Sequence, residues 1–195
     1  MKVSATPIIL MLIMLWWGVS QVAQAQVKPA PAVFVPACNL QALNREYTNS
    51  LNRLRHQLDP HAPEVVFDPA LFAGAVLQAA KMEAADSLFH ANPLRSSELV
   101  GTKRSVQTQD VKELVRFIQT QIQNSERHCL INSDFKNVYV AVAANKDFYV
   151  VKLFEKPTIA DKEELAACLK LGIKVPVPVG EATNKPTSRL IYRAF

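Results

Sequence analysis

Apolar residues recur every three or four positions along the segment that begins at Leu40, whereas the positions between them are mostly polar. This spacing places one apolar stripe on a helix, and it predicts an amphipathic α-helix that ends at Asp59-Pro60. The residues of the stripe are Leu40, Leu43, Tyr47, Leu51, Leu54 and Leu58. We expect the helix to bury this stripe against the rest of the chain.

A second helix is predicted after the short apolar segment 65–67. Asp68 and Pro69 are typical of an N-cap and of the first helical position. The sequence that follows is rich in alanine and carries few polar residues, which indicates a well-buried helix. The helix is expected to end near His90, because Asn92-Pro93 favours an extended chain.

A third helix is predicted from Asp110 and is expected to run into Ser125 and His128. The residues on its apolar face are Val111, Leu114, Val115, Ile118 and Ile122. His128 is therefore expected at a helix end.

A β-hairpin is predicted next, because Val138, Val140 and Val142 alternate with smaller or polar-tipped residues and the segment 148–154 is again rich in β-formers. The turn between the two strands spans 144–147 and contains Asn145 and Asp147, which adopt turn conformations easily. The two strands are therefore expected to be adjacent and antiparallel.

The C-terminal part differs in character from the rest. A helix is predicted from about Thr158 to Leu171, with Thr158 and Asp161 in a capping-box-like spacing and Gly172 as the residue that ends it. Beyond it the chain is predicted to be extended or irregular, and residues 189–195 could add an edge strand.

The N-terminal residues are typical of a secretory signal peptide. Lys2 precedes an apolar run over 7–19, and Ala23 and Ala25 provide small residues for cleavage before Gln26. The run is shorter than the roughly 20 residues that a membrane-spanning helix needs. We therefore expect a secreted or periplasmic protein, with a signal peptide at 1–25 and no stable membrane span after cleavage.

Composition excludes several classes of protein. The chain of 195 residues has a net charge of +5, which is only mildly basic. The basic residues are scattered and do not alternate with aromatic ones, so we expect them on a solvated surface and predict no nucleic-acid binding. They include Lys103, Arg104, Arg116, Lys136, Lys152 and Lys156. The sequence contains no GxSxG, P-loop or dinucleotide-binding motif.

The order of these segments resembles the CAP superfamily, which includes cysteine-rich secretory proteins, antigen 5 proteins, plant pathogenesis-related proteins and bacterial SCP-like domains. The resemblance covers about residues 43–154, and its most specific element is NSERH before a hairpin, which is similar to the bacterial form NSPGH. The other segments that carry it are LNREYTNSLNRLR, VVFDPALFAGAVLQAAKM, FHANPLRSSELVG and FKNVYVAVAANKDFYVVKLF.

The resemblance implies an α+β fold, namely a CAP-like α-β-α sandwich with a central antiparallel sheet, plus a short C-terminal helical extension. The expected organisation is a signal peptide at 1–25, a Pro/Ala-rich linker at 26–37, a CAP-like domain at 38–155 and a C-terminal extension at 156–195.

The resemblance also implies a cleft that contains two histidines and acidic residues and that sometimes binds a divalent metal. His90 matches the first histidine, Glu98 the glutamate of the GEN motif, and His128 the second histidine. Ser125 takes the fourth position, where many eukaryotic members have glutamate, and Glu126 is adjacent to it. The implied cofactor is a divalent cation such as zinc, with His90 and His128 as its ligands.

The sequence departs from the family pattern at several positions. The GEN motif is here Ser97-Glu98-Leu99, the tryptophan of the third helix is replaced by Ile122, and a glycine of the first hairpin strand is replaced by Ala141. Judged without the resemblance, His90 has an alternative role at a helix end, and His128 has one as a buried, hydrogen-bonded histidine.

The three cysteines are Cys38, Cys129 and Cys168, so one of them has no intramolecular partner. Export favours a disulfide, and three pairings are open. We predict the pair Cys129 and Cys168, because this bond would join the C-terminal helix to the preceding domain, whereas Cys38 lies beside the linker.

Two functions remain. The first is a secreted binding module whose partner is a lipid or an extracellular protein, as the resemblance implies. The alternative is a metal-dependent hydrolase in which His90, Glu98 and His128 bind the ion or act as acid and base. We favour the binding module, since the missing fourth carboxylate weakens the hydrolase more.

Overall fold

The computed structural model describes residues 34–92, 96–131 and 133–176. The predicted signal peptide, most of the predicted linker and the segment 189–195 lie outside the described residues. The helices are α1 (Leu40–Leu58), α2 (Pro69–Ala85), α3 (Val111–Gln123) and α4 (Lys162–Lys170), and the strands are β1 (Val66–Phe67), β2 (Ser97–Thr102), β3 (Tyr139–Ala144) and β4 (Phe148–Phe154). In this part of the chain, each helix is too short or too polar to cross a membrane.

The four strands form one sheet in the order β1-β3-β4-β2. The β3–β4 hairpin is antiparallel, as predicted, and β2 pairs antiparallel with the other side of β4. β1 pairs parallel with β3, through Val66 and Tyr139. The α+β class is therefore confirmed, but the sheet is mixed and not antiparallel throughout, because the chain enters β1 in the same direction as β3.

The helices cover both faces of the sheet. Tyr149 and Lys152 of β4 point to opposite faces, since successive side chains of a strand alternate. Phe117 of α3 packs edge-on against Tyr149, with ring centroids 6.4 Å apart, whereas Gly74 of α2 lies over Lys152. α1 packs against α3 and β3, and α4 packs against α2. The buried core lies between these helices and the sheet.

Two helices are shorter than predicted. α2 ends at Ala85, where Asp86 takes a left-handed conformation with φ of 47°, so His90 lies in the irregular segment beyond the helix. α3 ends at Gln123, and His128 lies in the turns that follow it. Both histidines are therefore on loops. The apolar residues Leu88 and Phe89 follow α2, and no proline or glycine lies between α3 and His128, so the sequence marks neither helix end.

The buried face of α1 also differs from the predicted stripe. Leu58 is 60% exposed, whereas Asn44 and Arg55 are buried. The Arg55 guanidinium donates to the carbonyl oxygens of Asn137 at 2.8 Å and Asp134 at 3.1 Å. Polar positions on α1 thus serve contacts with distant backbone, which an apolar pattern does not reveal.

The segment around Glu98, for which no helix or strand is predicted above, forms strand β2, in register with all but the last residue of β4. The sequence of β2 lacks a clear alternation of apolar and polar residues, so this strand forms through its pairing with β4. The expectation of a solvated basic surface is wrong at two positions, because Lys103 and Lys152 are buried.

The C-terminal helix begins at Lys162, with Asp161 as its N-cap, and Gly172 has a φ of 74°, as expected of the residue that ends it. Thr158 does not cap this helix. Its hydroxyl and its N–H instead donate to the Asp68 carboxylate at 2.9 Å and 3.0 Å. The segment 158–171 is thereby fixed to the start of α2.

Candidate functional site

Glu98 lies at the centre of the first candidate site. Its side chain is fully buried and accepts three hydrogen bonds. Oε1 accepts from the Ala91 N–H at 2.7 Å and from His90 Nδ1 at 3.2 Å, and Oε2 accepts from Lys152 Nζ at 2.5 Å. β2 and β4 place Glu98 and Lys152 directly opposite each other, so the sheet register brings this pair together.

The two histidines approach each other from different loops. The ring centroids of His90 and His128 are 6.4 Å apart, and the ring planes are inclined at 63° to each other. His90 Nδ1 faces Glu98, and His128 Nδ1 lies 2.9 Å from the Ser125 hydroxyl. Each ring is thus oriented through Nδ1, and Nε2 of each has no hydrogen-bond partner among the described residues.

Ser125 therefore lies in the site, through its contact with His128. Glu126 is exposed, and its contact within the described part of the chain is made by its backbone carbonyl, which accepts from Cys129 Sγ at 3.8 Å. The structure brings His90, Glu98, Ser125 and His128 to one place and leaves Glu126 facing solvent.

The donor set does not fit the divalent cation that the family resemblance implies. A zinc site with an open position uses three protein ligands. Glu98 is the carboxylate that contacts His90, and both of its oxygens already accept hydrogen bonds, one of them from an ammonium group. Within the described ranges, no group of three or more His, Cys, Asp and Glu side chains is arranged to bind a metal ion.

Lys152 is the member of the site that the sequence reasoning missed. It is the one charged residue in the apolar strand Phe148–Phe154, FYVVKLF. A single lysine among buried β-formers is a signal for a buried ion pair, because an unpaired buried ammonium is unstable. Nothing in the local pattern indicates which carboxylate is its partner.

The predicted disulfide between Cys129 and Cys168 is absent, and all three cysteines are free. Cys168 is fully buried and its Sγ donates to the Ala73 carbonyl of α2 at 3.6 Å, while Cys129 lies in the turns after α3. The two residues are apart because α4 packs against α2, whereas α3 packs against α1 and β2. Burial raises the pKa of the Cys168 thiol to about 11.

A second candidate site is an apolar cavity of about 690 Å³ beside α1. Its walls are formed by the first half of α1, by the β1–α2 junction and by the segment that follows α4. The apolar lining residues include Leu40, Phe67, Phe72, Ile173 and Pro176. This volume is within the range of about 300–1,000 Å³ that is typical of small-molecule sites.

The charged residues that line this cavity are both basic. Arg45 and Lys174 line it and are exposed, and no acidic side chain is among its described lining residues. The Thr48 hydroxyl is buried in the wall and has no hydrogen-bond partner in the described part of the chain. A buried hydroxyl without a partner is unfavourable unless a ligand or water satisfies it.

Comparisons with known proteins do not assign this chain to a family. No family model and no curated protein matches this chain. A solved structure that is similar to it is an extracellular protein containing an SCP domain from Bacillus anthracis str. Ames, at 14% sequence identity and a TM-score of 0.47. The alignment covers 60% of this chain and 41% of that protein, so the chain spans less than half of its length. A similarity at this level does not assign a family.

Proposed function

We propose that this protein is an exported, CAP-like binding module that holds an anionic amphiphile, with one acyl chain, in the cavity beside α1. The observation that carries the proposal is the cavity itself, which combines apolar walls with two cationic side chains. The CAP-like α-β-α sandwich is supported by the sequence resemblance and by the helices on both faces of the sheet. The approach of His90 and His128, which the resemblance implies, also supports it.

The chemistry of the cavity selects the ligand class. Leu40, Phe67 and Phe72 offer an apolar surface for an alkyl chain, whose transfer from water is favourable by about 0.8 kcal/mol per methylene. Arg45 and Lys174 attract a carboxylate or phosphate head group at the rim, and the Thr48 hydroxyl donates a hydrogen bond that it lacks in the free protein. A neutral or cationic amphiphile would gain only the first of these contributions.

The metal-dependent hydrolase is the weaker alternative. Glu98 would have to act as a metal ligand or general base, but its oxygens accept from Lys152, His90 and the Ala91 N–H. Protonation of a substrate or activation of water would first require one of these bonds to break. This arrangement favours a structural role for Glu98 and a binding role for the protein.

The test is competition with a fluorescent long-chain fatty acid on the purified full-length mature protein. We expect saturable binding of a long-chain fatty acid and binding about 10- to 100-fold weaker for the alcohol of equal length, since a charge-assisted hydrogen bond contributes about 1.5–3 kcal/mol. The double variant Arg45→Gln/Lys174→Gln should remove this preference for the acid.

The matched control is Arg53→Gln/Lys170→Gln, which removes one arginine of α1 and one lysine of α4 that do not line the cavity. It should leave both affinities unchanged. Equal binding of acid and alcohol, or an equal effect of the two double variants, would contradict the anionic ligand. No saturable binding of either compound would contradict the binding module.

Export is part of the proposal and rests on the signal-peptide pattern of residues 1–25. N-terminal sequencing of the protein recovered from outside the cytoplasm should begin at Gln26. A chain that still begins at Met1 and requires detergent for extraction would contradict processing.

A further inference from the structure

The pair formed by Lys152 and Glu98 is buried more completely than an ordinary ion pair. The Glu98 side chain is fully buried and the Lys152 side chain is 9% exposed, with Nζ and Oε2 2.5 Å apart. Two charges in such a place are stable only together, because each alone would lose its hydration without compensation. Loss of either charge would therefore leave the other one buried without its partner.

The fold provides room for the lysine side chain. Gly74 of α2 lies directly over it, and a Cβ at Gly74 would be 3.3 Å from Lys152 Cε. The neighbour of Lys152 in register on β3 is Ala141, another small residue. Small residues above and beside the lysine let its alkyl stem cross the sheet face and deliver the ammonium to Glu98.

The ammonium lies where a metal ion would have to bind Glu98. Oε1 already accepts from the Ala91 N–H and from His90. Oε2 accepts fewer hydrogen bonds, but Lys152 donates to it. A divalent cation on Oε2 would lie within a few ångströms of a buried positive charge. Repulsion at that distance is strong, because little water is present to screen it.

We propose that Lys152 is the resident cation of the site formed by His90, Glu98 and His128, and that it keeps divalent metals out. The two imidazoles and the carboxylate lie in one place, and the Glu98 oxygen that a metal ion would need is taken by a side chain of the same protein. Removal of the ammonium should therefore open Oε2 of Glu98 to a divalent cation. This inference does not depend on the cavity beside α1, which involves other residues.

The test is Zn²⁺ binding by calorimetry on the untagged full-length mature protein, with Co²⁺ absorption as a second readout. Lys152→Met keeps an unbranched side chain, shorter by one atom, and removes its charge. We expect this variant to bind one Zn²⁺ about 100-fold more tightly than the unmodified protein. The gain should be lost in Lys152→Met/Glu98→Gln and in Lys152→Met/His128→Ala.

Equal Zn²⁺ affinity of the unmodified protein and Lys152→Met would overturn the proposal, as would a gain that persists without Glu98. If Lys152→Met does not fold, Lys152→Gln provides a polar replacement, and the unmodified protein gives an independent answer. Its Zn²⁺ affinity should be the same before and after Glu98→Gln, since Lys152 excludes the metal from Glu98. A lower Zn²⁺ affinity of Glu98→Gln would show that Glu98 binds the metal while Lys152 is present, and it would overturn the proposal.

Discussion

The Asn44 side chain hydrogen-bonds both backbone groups of Val142. Its Nδ2 donates to the Val142 carbonyl oxygen at 2.8 Å, and its Oδ1 accepts from the Val142 N–H at 2.7 Å. β1 pairs only with Tyr139 and Val140 of β3, so the outer edge of β3 needs another partner at Val142. A side chain from α1 thus continues the sheet where the short strand ends.

Asn44→Ala should therefore lower the free energy of unfolding by about 2–4 kcal/mol, because two buried backbone groups lose their partner. Urea denaturation followed by circular dichroism measures the change. Gln57→Ala, an exposed substitution on the same helix, is the control and should change stability by less than about 0.5 kcal/mol. Equal effects of the two substitutions would show that the Asn44 bonds contribute nothing net.

Gly101→Ala should be destabilising, because a Cβ at this position would lie 2.2 Å from Cζ of Tyr149. Relief requires a shift of the tyrosine ring, and overpacking of this kind costs about 1–3 kcal/mol. The loss should be measured as a shift in the urea midpoint.

A double-mutant cycle isolates the cause of this loss. Tyr149→Leu removes the ring atoms that the new methyl group would meet, so Gly101→Ala should cost little in that background. If the two substitutions were additive, the cost would arise from the glycine backbone and not from the tyrosine ring.

Cysteine alkylation should follow burial. Cys168 is fully buried and has a pKa of about 11, and burial also raises the pKa of Cys38. Iodoacetamide at pH 8 should therefore modify partly exposed Cys129 first and Cys168 last in the folded protein. Mass spectrometry of peptides measures the order, and all three should react at similar rates in urea.

The same mapping tests the pairing of the cysteines. We expect three free thiols in the non-reduced protein, with each cysteine recovered in its own peptide. A linked peptide that contains Cys129 and Cys168 would show that the bond predicted from the sequence forms after all.

Stability should depend on alkaline pH through Cys168. Burial raises its pKa from 9.0 to about 11 in the folded protein, so the contribution is complete below pH 9 and is lost as pH rises through 11. The difference in unfolding free energy between the unmodified protein and Cys168→Ala should shrink by up to about 2 kcal/mol over this interval. A difference that stays constant with pH would contradict the raised pKa.

Thr158→Val should weaken the attachment of the C-terminal segment to α2. The Thr158 hydroxyl donates to the same Asp68 carboxylate that caps α2 through the N–H groups of Ala70 and Leu71. Loss of one hydrogen bond to a carboxylate should cost about 1.5–3 kcal/mol. The isosteric control is Thr120→Val on the exposed side of α3, and an equal change in both variants would show that the Asp68 contact is not stabilising.

Short-range signals determined the helices and the hairpin. Asp68 and Asp110 cap their helices through their own side chains, and Gly172 ends α4 with a positive φ that other residues rarely adopt. These features involve residues a few positions apart, so the local sequence is enough to predict them. Helix ends were less accurate, because apolar residues continue past Ala85 at Leu88 and Phe89, and no proline or glycine after Gln123 marks the end of α3.

The sequence alone also selected His90, Glu98, Ser125 and His128 as members of one site, through the family resemblance. It could not identify Lys152 as the partner of Glu98, because their contact joins strands that are 54 residues apart and depends on the register of β2 on β4. The tertiary structure decided that pairing, and with it the poor fit to a metal ion. It also decided the cavity beside α1, since distant segments form its walls and no local pattern encodes the space between them.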